Sequence, residues 1–82
     1  MSSYDLIHIL TREIYTEIYG EKPAEIKITH KSGREITILI THMDGITDKL
    51  FIKTTATLKI GDITRILTNK IDKLFMMKFY KK

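Results

Sequence analysis

The chain has 82 residues, a net charge of +4, 43% hydrophobic residues and no cysteine. That length suits a single domain, residues 1–82, whose thin core a homo-oligomer would reinforce. The lack of cysteine excludes disulfides and thiolate metal sites and fits a cytoplasmic protein, and no apolar run nears the roughly 18 residues of a membrane-spanning helix or forms a signal peptide.

Residues 3–19 read as a helix. Leu6, Leu10, Ile14 and Ile18 recur at every fourth position, and Ile7 and Tyr15 widen the stripe, so one face should lie on a sheet. Ser2 or Ser3 suits the start with Asp5 in the first turn, and Gly20 followed by Pro23 suits the stop. Glu13, Glu17 and Glu21 line up on one side and mark a face turned to water or to a basic partner.

Two strands follow. Ile26 and Ile28 alternate before a turn, and Ile36, Ile38 and Ile40 alternate after it. A loop of Lys31, Ser32 and Gly33, with Gly33 in the left-handed position, would set Ile28 opposite Ile36 and Ile26 opposite Ile38. Met43-Asp44-Gly45 is a second turn signal, leading to a third strand from about Lys49.

Beyond it the pattern has two readings. Leu50, Ile52, Thr54, Ala56, Leu58 and Ile60 keep one parity, as a long strand would, or as a hairpin at Thr54-Thr55-Ala56 without a glycine would. Asp62 then either caps a C-terminal helix with the stripe Ile63, Ile66, Leu67, Ile71, Leu74 and Phe75, or a short strand over 63–67 precedes a shorter helix. The helical choice gives the order α-β-β-β-α.

No motif for catalysis emerges. His8, His30 and His42 are dispersed, the serines sit in cap and turn contexts, and no phosphate-binding glycine loop occurs, so neither an enzyme nor a metal or other cofactor is expected. Asp44 and Asp48 frame one turn, where capping explains them better than acid/base work or a weak cation site.

Charge points elsewhere. Residues 1–41 hold five basic and six acidic side chains, and residues 42–82 hold nine and four, so the second half carries +5 against −1 for the first. A basic half can meet phosphates. The tail IDKLFMMKFYKK interleaves lysines with Phe75, Phe79, Tyr80 and two methionines, a composition suited to base stacking, to a docking amphipathic helix, or to packing with lysine stems turned outward. Fifteen Ile with no Val, and eleven Lys to three Arg, are a bias of thermophiles or AT-rich genomes.

The order helix, Gly33, strand, Asp44, strand, then LKIGDITRI resembles the Sm-like family of small barrels, which assemble into rings and bind RNA. The likeness covers residues 24–67. In that family a turn glycine precedes an aspartate by eleven residues, as Gly33 precedes Asp44. Four residues beyond, Asp48 stands where the family reads a base with asparagine. Ile60-Gly61-Asp62 is similar to the family's Arg-Gly-Asp with Ile60 in place of the arginine, while Ile46 replaces the stacking residue and Ile38 the small glycine of the second strand. The resemblance implies an N-terminal helix on a bent antiparallel sheet of Sm- or SH3-like barrel form, an α+β fold, followed by an amphipathic C-terminal segment.

A carboxylate at 48 and an isoleucine at 60 disable the family's uridine pocket. Nucleic-acid binding, of RNA before DNA, then falls to Lys49, Lys53, Lys59, Arg65, Lys78, Lys81 and Lys82, with Phe79 and Tyr80 available to stack. The alternative function is an assembly module docking through the apolar tail. The order α-β-β-β-α is similar to that of double-stranded RNA-binding domains, whose last helix begins with a lysine cluster; Gly61-Asp62-Ile63-Thr64-Arg65 lacks it.

Overall fold

The computed structural model describes residues 3–32, 35–53 and 59–80. They form α1 (Ser3–Tyr19), β1 (Glu25–Ser32), β2 (Glu35–Thr41), β3 (Thr47–Lys53) and α2 (Ile60–Tyr80). The fold is α+β with the order α-β-β-β-α. The sheet is antiparallel in the order β1-β2-β3, and among the described residues it stays open, so the barrel implied by the Sm-like resemblance is not closed.

α1 follows its apolar period, but its buried row is Ile7, Thr11 and Tyr15, with Leu10, Ile14 and Ile18 packed alongside. Thr11 is tolerated at the centre because its hydroxyl donates to the carbonyl of Ile7 at 2.7 Å, which satisfies it inside the helix. Gly20 ends the helix at φ +79, a backbone angle open to glycine without a side-chain clash.

The five strand isoleucines share the face turned to the helices, as their alternation requires, yet the register differs from the expected one. Ile28 pairs with Ile38 and Ile26 with Ile40, and β1 continues through Lys31 and Ser32 with a bulge before Ser32 pairs with Glu35. Lys31 and Ser32 are therefore strand rather than loop, while Gly33 lies outside the described residues. A shift of two residues keeps every side chain on its face, so hydrophobic alternation alone cannot distinguish the two registers.

A left-handed loop glycine occurs at the next turn. Gly45 has φ +91, its N–H donates to the His42 carbonyl at 2.9 Å, and His42 N–H donates to the Ile46 carbonyl at 2.8 Å. Met43, Asp44 and Gly45 thus form a three-residue hairpin loop, and β3 begins at Thr47, earlier than Lys49. β3 ends at Lys53; the hairpin considered at Thr54-Thr55-Ala56 lies outside the described residues.

Residues 60–80 are one helix, which removes both the short strand over 63–67 and a strand reaching Ile60. The Lys59 carbonyl accepts from the N–H groups of Asp62 and Ile63 at 3.0 Å, so Lys59 holds the cap position. Asp62 sits inside the first turn and its carboxylate reaches back to the Lys59 N–H at 3.4 Å, the returning half of a capping box. Leu67 and Ile71 are fully buried against Ile38, Ile40, Leu50, Ile52 and the α1 row. Both helices thus cover one face of the sheet. No described helix is long and apolar enough to cross a membrane.

Candidate functional site

Period two along the strands decides what the uncovered face carries. With Ile36, Ile38, Ile40, Leu50 and Ile52 turned to the helices, the odd positions turn away. Across the sheet Lys27 stands beside Leu39 and Leu39 beside Lys49, and the next row reads Thr29, Thr37, Phe51. Lys53 follows opposite Glu35, and Thr41 opposite Thr47 with their hydroxyls 2.9 Å apart. Phe51 is 50% exposed at the edge of this face, and Lys49 Nζ lies 5.7 Å from its ring centre.

A half-exposed aromatic ring between Lys49 and Lys53 has the chemistry of a stacking platform with cations at hand. Of the candidate binding residues, Lys49 and Lys53 join this face. Lys27 and Phe51 belong with them and escaped sequence reasoning, although the parity of TDKLFIK, with Leu50 and Ile52 inward, already turns Phe51 outward.

The other candidates lie elsewhere. Lys59 and Arg65 flank the start of α2, where Arg65 pairs loosely with Asp62 at 3.5 Å. Lys78 and Phe79 lie at its far end. Lys78 binds Asp44 of the β2–β3 turn at 3.0 Å, and Phe79 packs against Phe75 and Tyr19 with ring centres 4.6 and 6.2 Å away. Tyr80 ends α2; Lys81 and Lys82 fall outside the described residues.

Asp44 accepts from the Ile46 N–H at 3.0 Å as well as from Lys78. These two bonds, the backbone one first, hold its carboxyl below the ordinary carboxylate value. Lys78 thereby ties the end of α2 to the β2–β3 turn.

Behind that turn lies a polar chain, buried at Tyr15 and His42 and part-exposed at Asp48. Tyr15 Oη is 2.6 Å from His42 Nδ1, and His42 Nε2 is 2.6 Å from Asp48 Oδ2. A carboxylate only accepts, so Nε2 carries its hydrogen, and in the neutral imidazole Nδ1 accepts from the Tyr15 hydroxyl. Burial, followed by the nearby Tyr19, Glu21, Asp44 and Asp48, pushes the Tyr15 phenol up to about 12. Tyr19 stacks on Tyr15 with ring centres 4.0 Å apart. Its buried hydroxyl has no hydrogen-bond partner among the described residues, and burial, then Asp48, raises its pKa.

This chain ties α1 to the β2–β3 hairpin. His42 and Asp48 are far from helical spacing and meet only because the hairpin folds them together. Beside them Ile46, Asp48, Leu74, Met77 and Lys78 line a shallow groove. No group of three or more His or carboxylate side chains arranged to hold a metal occurs among the described residues. In comparisons with known proteins, no family model, curated protein or solved structure matches the chain.

Proposed function

We propose that the chain is a non-enzymatic cytoplasmic module that binds single-stranded nucleic acid, RNA before DNA, across the open face of its sheet, and acts as a homo-oligomer. The observation that carries this reading is Phe51, half exposed between Lys49 and Lys53 on the face that neither helix covers. Bases stack on an exposed ring whatever their sequence, and lysines neutralise the phosphates alongside. The hydroxyls of Thr29, Thr41 and Thr47 on the same face are of the type that can exchange hydrogen bonds with a 2′-hydroxyl.

Fluorescence anisotropy with single-stranded RNA, and duplex DNA alongside, at about 50 and 200 mM salt tests the reading. Binding of the single strand should collapse at the higher salt and vanish in a Phe51→Ala, Lys49→Ala chain. Absence of binding at either salt would sink the proposal. A second reading, assembly through the end of α2, draws on Met76, Met77 and Phe79, each more than half exposed; apolar docking of that kind holds or strengthens with salt.

A further inference from the structure

The two edges of the sheet are unlike. Along an antiparallel strand each residue turns both backbone groups to one side, and the side alternates. The His42 to Ile46 bond sets that alternation in the β2–β3 hairpin. Asp48, Leu50 and Ile52 thereby bond Ile40, Ile38 and Ile36, and Thr47, Lys49, Phe51 and Lys53 turn their N–H and C=O groups outward. No described residue hydrogen-bonds those outward groups. At the opposite edge, by contrast, α1 packs on β1 and His8 Nε2 donates to the Ile26 carbonyl at 3.1 Å.

We propose that β3 pairs antiparallel with β3 of a second copy of this chain, about a two-fold axis at Leu50, so that two sheets become one. The backbone sets which pairs exchange hydrogen bonds. Lys49 bonds the partner's Phe51 and Thr47 bonds the partner's Lys53, while Leu50 meets the partner's Leu50 on the apolar side.

Side chains choose this register over its neighbours. A shift of two residues one way sets Lys49 against the partner's Lys49. The opposite shift sets Lys49 against the partner's Lys53. Like charges directly opposite are destabilising, and of these three registers only the Leu50-centred one places each lysine beside an aromatic or a threonine. Lysines on an edge ordinarily deter pairing; here they reject both adjacent registers.

The pairing rests on the homo-oligomeric part of the reading above. It would bring Lys49 and Phe51 of both copies to the middle of one broad open face.

Sedimentation equilibrium on the full chain tests it, with the expected mass twice the 9.6 kDa of one copy. Phe51→Lys sets lysine against Lys49 and should return the monomer, whereas Phe51→Glu sets a carboxylate there and should keep the dimer. Phe51 lies outside the core, so both variants should fold, which circular dichroism verifies. A monomeric wild type, a dimeric Phe51→Lys chain or a monomeric Phe51→Glu chain overturns the pairing. RNA binding is read on the same samples. A wild-type monomer that binds RNA overturns the pairing alone, and a wild-type dimer that binds none overturns the nucleic-acid reading alone.

Discussion

Tyr15 in α1 donates its phenol hydrogen to His42 at the end of β2 across 2.6 Å, and His42 passes the contact on to Asp48 in β3. Three elements are thus pinned by one polar chain, buried at Tyr15 and His42 and part-exposed at Asp48. Such a chain stabilises only while each member is satisfied, because an orphaned buried donor or acceptor keeps its full desolvation cost.

The neighbouring tyrosines should therefore respond oppositely to the same change. Tyr15→Phe leaves Nδ1 of His42 without its donor and should cost about 1–3 kcal/mol. Tyr19→Phe removes a hydroxyl that has no partner among the described residues and should be neutral or stabilise by up to about 1 kcal/mol. Urea unfolding midpoints of the two variants decide the matter, and equal losses would refute the assignment of the hydrogen bond.

Alkaline pH probes the same contact. Burial lifts the Tyr15 phenol from 10.0 to about 12. A group whose folded pKa is raised contributes its stability in full below its unfolded value and loses it as pH rises through the folded value, so the decline should run from about pH 10 to 12. That difference corresponds to on the order of 3 kcal/mol. Phenylalanine has no proton to lose, so the gap between wild type and Tyr15→Phe should narrow between about pH 8 and pH 11 in urea titrations. A gap that stays constant would place the alkaline loss elsewhere.

Much of this fold was legible in the sequence. α1, the outward and inward faces of the strands, the turn at Asp44-Gly45 and the C-terminal stripe through Leu67 and Ile71 follow from periodicity and punctuation. What escaped was whatever depends on a distance across the chain. Alternating isoleucines score the same in two registers, so Ile28 was free to choose between Ile36 and Ile38. Tyr15, His42 and Asp48 carry no mutual spacing signal, because a helix and a hairpin bring them together. The barrel expectation rested on Gly33, Asp44 and Gly61-Asp62, spacings that a hairpin and a helix start satisfy equally well.

Two glycines with open space around them should separate backbone strain from crowding. Gly45 has φ +91, with nothing within 4 Å of an added Cβ. Gly45→Ala should still cost about 1–2 kcal/mol through conformation alone. Gly61, in the first turn of α2 with the same empty surroundings, should gain up to about 1 kcal/mol as Ala. Thermal melts of both variants give the signs directly, and a neutral Gly45→Ala would mean that the turn adopts another form.

The nucleic-acid reading makes its sharpest claim about which lysines count. Lys49 stands free on the open face beside Phe51, while Lys78 is bound to Asp44 at 3.0 Å. A lysine that contacts a phosphate contributes to the salt dependence of binding, so Lys49→Ala should weaken RNA binding and reduce the salt slope by about 1. Phe51→Ala should cost about 1–3 kcal/mol of affinity with the slope unchanged, because stacking releases no counterions. Lys78→Ala should leave both affinity and slope alone, loosening only the tie between α2 and the β2–β3 turn. Were Lys78→Ala to lower the slope while Lys49→Ala did not, the binding surface would be the tail of α2, and the open sheet face would have to be given up as the site.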